Sequence, residues 1–120
     1  MSRALALALI AALTVPSSAA PAAAHSLLLA SSPAADATVP APGQITLRFN
    51  NRIEKRLSRI RLVDARGEKR ALEVRTEAAP ADELHASAPA LVPGPYRVEW
   101  RVLSTDGHVV SGGFSFRVAY

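Results

Sequence analysis

The sequence predicts an all-β fold, a small antiparallel sandwich or barrel, and three observations carry it. Apolar residues recur in twos, turn signals separate the alternating runs, and no helix-length amphipathic stretch occurs. The 9 Pro and 6 Gly among 120 residues favour turns, and 49% hydrophobic content is too high for a disordered chain. The length suits one domain.

The first element is a leader. Arg3 is followed by the apolar run Ala4–Val15, then a weakly polar stretch ending Ala22-Ala23-Ala24. A basic start, a short apolar core and a small-x-small end mark a secretory signal peptide over 1–24. The run is shorter than the ~20 residues of a spanning helix. A cut after Ala20 would leave Pro21 beside the scissile bond, so Ala24 is the expected end and His25 the first mature residue. The expected mature domain is therefore 25–120, exported to the periplasm, soluble and monomeric by default.

The strands follow in order. Ile45, Leu47 and Phe49 alternate with Thr46 and Arg48; Ile60 and Leu62 with Arg59 and Arg61; Leu72 and Val74 with Glu73 and Arg75. Tyr96, Val98, Trp100 and Val102 alternate with Arg97, Glu99 and Arg101, and Phe114, Phe116, Val118 and Tyr120 with Ser115 and Arg117. Each run should bury one face and wet the other. Turns are expected at Ala41-Pro42-Gly43, Ala65-Arg66-Gly67, Pro93-Gly94-Pro95, Asp106-Gly107 and Gly112-Gly113.

The composition also excludes chemistry. With 0 Cys there are no disulfides, thiolate metal sites, iron–sulfur clusters or cysteine nucleophiles, and the 1 Met is Met1. No nucleophile elbow, phosphate-cradling loop or dinucleotide fingerprint is present. The chain is read as a non-enzyme with no catalytic residues. The cations between Arg48 and Arg75 read as solvated outward strand faces, since nucleic-acid binding needs stacking aromatics and this stretch holds only Phe49.

Metal ligation remains. A mature His25 carries both an α-amine and an imidazole, and the amine nitrogen and Nδ1 close a six-membered chelate that suits Cu(II). The amine, with a reference pKa near ~8, yields its proton readily to a metal. Asp106-Gly107-His108 adds a carboxylate and an imidazole, which as positions i and i+2 of an extended segment would face one side. The plain alternative is an ordinary Asp-Gly turn with an exposed His. Together the residues offer three nitrogens and one oxygen, a set fitted to tetragonal Cu(II). His85, in Glu83-Leu84-His85-Ala86, is expected to point outward from a strand rather than ligate.

Ala24-His25-Ser26-Leu27, Ser32-Pro33-Ala34-Ala35-Asp36-Ala37, Leu47-Arg48-Phe49-Asn50 and Trp100 through Gly112 resemble the CopC family of periplasmic copper-binding proteins. The resemblance spans essentially all of 25–120 and implies a Greek-key β-sandwich of immunoglobulin-like or cupredoxin-like form. It implies one Cu(II) ion per chain, held by His25 (amine and ring), Asp106 and His108. The Met-rich Cu(I) site of some members is not carried over, because the mature region has no Met. Asn51-Arg52 stands where many relatives are expected to have an acidic residue, which leaves a carboxylate orienting the amine without an assignment; Glu54 is nearby.

The implied role is a Cu(II) carrier or buffer in copper homeostasis and resistance, delivering to an inner-membrane copper transporter. Two other readings stay open. One is a histidine-brace oxidative enzyme, against which Asp106 would fill the position left for oxygen. The other is an exported interaction module without metal.

Overall fold

The computed structural model describes residue 11, residues 27–77 and residues 80–120. Nine strands and one short 3-10 turn build it. In chain order they are β1 (Leu28–Ser32), β2 (Thr38–Val39), β3 (Gln44–Phe49), the turn Lys55–Leu57, β4 (Arg59–Val63), β5 (Lys69–Leu72), β6 (Val74–Arg75), β7 (Glu83–Ser87), β8 (Gly94–Leu103) and β9 (Val109–Val118). They form two sheets, β1-β3-β7-β6 and β2-β9-β8-β4-β5. This is the all-β sandwich that the alternation predicted, of the Greek-key kind that the resemblance implied, with the chain passing between sheets at β1–β2, β2–β3, β3–β4, β5–β6 and β7–β8. No helix of the described residues is long and apolar enough to cross a membrane.

The period of two does what the alternation required. Ile45, Leu47, Phe49, Leu84 and Ala86 of the first sheet meet Ile60, Leu62, Val98, Trp100, Val102, Phe114 and Phe116 of the second in one buried cluster. Phe49 and Trp100 join the sheets edge to face, ring centroids 5.1 Å apart. Trp100 sits over Gly112, its cross-strand partner, where a Cβ would collide with the indole ring. Gly112-Gly113, expected as a turn, therefore lies inside β9, and its first glycine makes room for the indole.

Two expectations about the strands are corrected. Leu72 through Arg75 is not one strand. The chain leaves the second sheet after Leu72 and joins the first at Val74, so the alternation continues across a change of sheet. The antiparallel pattern also has one exception, β2 beside β9, which is parallel. The link between β1 and β3 crosses to the other sheet there, and the carbonyls of Ala37 and Val39 accept from Arg117 and Ala119 N–H at 2.9 and 2.8 Å.

Candidate metal centre

The long antiparallel pair β8–β9 ends in the loop Ser104–His108, which carries Asp106 and His108. Ser104 N–H donates to the His108 carbonyl at 2.9 Å, and Gly107 N–H donates to the Ser104 carbonyl at 2.9 Å. Gly107 has φ +89°, a conformation glycine adopts at little cost. Asp106 and His108 thus converge because the chain turns at Gly107. The extended i, i+2 geometry expected from the sequence is replaced by a tight turn.

The Asp106 carboxylate organises this loop. Its Oδ1 accepts from the Ser104 hydroxyl and from His108 N–H at 3.1 Å, and lies 3.1 Å from His108 Nδ1. The Ser104 hydrogen bond, then the His108 backbone bond, hold the Asp106 carboxyl below its usual range. An ionised carboxylate only accepts, so the ring proton of neutral His108 belongs on Nδ1, which makes Nε2 the nitrogen suited to a metal. Both side chains are open to solvent, 41% exposed for Asp106 and 51% for His108. Ser104 beneath them is 1% exposed, a buried hydroxyl placed by strand pairing.

A second segment ties this loop to the start of the domain. Leu27 N–H donates to Asn50 Oδ1 at 2.6 Å, and Asn50 N–H returns a bond to the Leu27 carbonyl at 3.1 Å. Two residues on, the Arg52 carbonyl accepts from Thr105 N–H at 3.1 Å, and Ile53 bridges to Ser104. Residues 50–53 therefore join Leu27 to the Asp106 loop at one end of the sandwich.

His25 lies outside the described residues. Among the described residues no group of three His, Cys, Asp or Glu side chains is arranged to hold a metal ion, so the pair Asp106 and His108 needs a further donor. Glu54 precedes the 3-10 turn, where its N–H donates to the Leu103 carbonyl. His85 points outward from β7, as expected, with Nε2 2.9 Å from Glu83 Oε2. Sequence reasoning gave Ser104 and Asn50 no role. A hydroxyl two residues before Asp106 was a readable signal for the first; the second is set by pairing across 23 residues and had none.

A family model described as the CopC domain matches residues 28–119. The chain belongs to the CopC family. Copper resistance protein C of Xanthomonas campestris pv. juglandis is 36% identical to this CopC-family chain over 102 residues, covering 79% of this chain and 80% of that one. Protein YobA of Escherichia coli is 36% identical over 98 residues, covering 79% of each. Among solved structures, CopC from Methylosinus trichosporium superposes with a TM-score of 0.72 at 38% identity, covering 78% of this chain and 93% of that one. PcoC from Escherichia coli, described as a methionine-rich copper resistance protein, superposes with a TM-score of 0.69 at 29% identity, covering 80% of this chain and 100% of that one. The present chain departs from that methionine-rich relative, with 1 Met, at position 1.

Proposed function

We propose that this protein binds one Cu(II) ion through the amine and imidazole of His25, the Asp106 carboxylate and the His108 imidazole. It would act as a periplasmic carrier or buffer in copper homeostasis and resistance. Membership in a family whose relatives are named for copper resistance supports the copper-related part. The observation that carries the site is the pinned end of the sandwich. Leu27, two residues after His25, is bonded to Asn50, and the Arg52 carbonyl to the Asp106 loop. Two residues of extended chain reach at most about 7 Å, so the chain bond keeps His25 within that distance of the pinned Leu27.

Cleavage after Ala24 frees the amine, and the amine–imidazole chelate supplies two of three nitrogens. Asp106 supplies negative charge that offsets the metal's, and it fixes the His108 ring for ligation. With both side chains exposed at the sandwich end, the ion could be handed to a second protein, which we assign to an inner-membrane copper transporter.

The test is a Cu(II) titration followed by EPR on a chain beginning at His25 and on one with a single Ala before it. Tight one-to-one binding with nitrogen hyperfine structure in the first, sharply weakened in the second, is expected. Equal binding would remove the amine from the site, and no binding in either would leave an interaction module.

A further inference from the structure

The register of the second sheet gathers charge that looks scattered in the sequence. Tyr96, Val98, Trp100 and Val102 of β8 point into the core, so Arg97, Glu99 and Arg101 point out. Strand pairing sets Arg59 opposite Arg101, Arg61 opposite Glu99 and Val63 opposite Arg97. Lys69 of β5 and Arg117 of β9 share this outward face. It therefore carries six cations and one carboxylate, whereas the remaining charges of 27–120 are seven cations and nine carboxylates. The protein is polarised, with one basic sheet face and a slightly acidic remainder.

The face does not neutralise itself. Glu99 is shared by Arg61 at 2.9 Å and Lys69 at 3.6 Å. Among the described residues no salt bridge engages Arg59, Arg97, Arg101 or Arg117. Arg59 and Arg101 are directly opposed in the ladder, and like charges in that position destabilise a sheet. They flank a shallow groove of about 640 Å³ that also includes Ser111.

We infer that this face is an electrostatic docking surface for an anionic lipid bilayer. A specific protein interface sets its arginines among buried aromatic or large apolar anchors. The outward positions here hold no aromatic residue, Trp100 reaching the groove only from the inward register, and only scattered Val63, Ala71, Pro95, Leu103 and Val109. Dispersed arginines on one sheet face suit a laterally uniform layer of phosphate headgroups instead. The ten-residue strands β8 and β9 make the face about 33 Å long, so several cations reach such a layer together. The β8–β9 loop with Asp106 and His108 then lies at the rim of the footprint. The inference does not depend on copper binding, and its test is run without metal.

The test is co-sedimentation of the metal-free chain beginning at His25 with phosphatidylcholine vesicles, with and without about one-third phosphatidylglycerol. At low salt we expect binding to the anionic vesicles at least about tenfold above the neutral ones, lost at about 0.3 M salt. The double variant Arg59→Glu/Arg101→Glu should bind at least about twentyfold more weakly, at an unchanged thermal midpoint. Arg48→Glu/Arg75→Glu makes the same charge change on the other sheet and should keep most of the binding. Equal loss in both variants would reduce the effect to net charge and overturn the inference. So would indifference to lipid charge, or binding to polyglutamate without binding to anionic vesicles, which would point to an acidic protein partner.

Discussion

Ser104 shows how one buried hydroxyl sets the behaviour of an exposed carboxylate. Its position just past the β8–β9 ladder is fixed by its N–H bond to the His108 carbonyl and its bridge to Ile53, and its Oγ donates to Asp106 Oδ1. Hydrogen bonds to the charged form lower a carboxyl pKa, and the Ser104 bond is the largest cause here. Because the folded value lies below the unfolded one, the associated stability is present above the usual carboxylate range. It is lost as pH falls through the folded value. Ser104→Ala should move the Asp106 midpoint up toward its ordinary value, read from the side-chain carboxyl carbon shift in an NMR titration. An unmoved midpoint would show that His108 alone holds the carboxylate. Asp106 is solvent-exposed, so the change belongs to the shape of the loop rather than to global stability.

At the scale of elements, Asn50 does for the start of β1 what strand pairing does for the Asp106 loop. Removing its Oδ1 leaves Leu27 N–H without that acceptor, a loss of about 1 kcal/mol. Asn50→Ala should therefore change the urea midpoint only modestly, while Cu(II) affinity falls about tenfold, as for residues that orient ligands. Asn50→Asp, which can still accept from Leu27, should restore most of it. Equal affinity in all three would show that His25 needs no tether. This tether also marks what the sequence could and could not disclose. The alternation of Ile45, Leu47 and Phe49, and of Tyr96 through Val102, was readable because burial on one face imposes a period of two. The break between Leu72 and Val74 was not, because an inward residue looks the same whichever sheet it belongs to. Gly112-Gly113 read as a turn because a glycine that admits Trp100 is indistinguishable in sequence from one that bends the chain. At the candidate site, the proximity of Asp106 and His108 was legible from residue type and spacing. The left-handed Gly107, the Ser104 hydroxyl and the link through residues 50–53 depend on pairing between distant segments.

At the scale of the whole molecule, the donor inventory sets the redox behaviour expected of the proposed site. The chain has 0 Cys and its 1 Met is Met1, so a domain beginning at His25 contains no sulfur. Cu(I) prefers soft thiolate and thioether donors, whereas amine, imidazole and carboxylate suit Cu(II). The sandwich cannot provide an alternative set by small rearrangement. Its interior is filled by Ile, Leu, Val and aromatic side chains, and His85 lies on the outer face of the first sheet beside Glu83. Reduction should therefore release the ion. With the copper-loaded chain from His25, ascorbate and a colorimetric Cu(I) chelator should move the metal to the chelator within mixing time. Without ascorbate, the Cu(II) EPR signal should persist. A site that holds only the oxidised ion, as proposed, would unload it by reduction alone. Retention of Cu(I) against the chelator would reveal a donor set other than His25, Asp106 and His108, and would overturn the proposed site and this mode of release together.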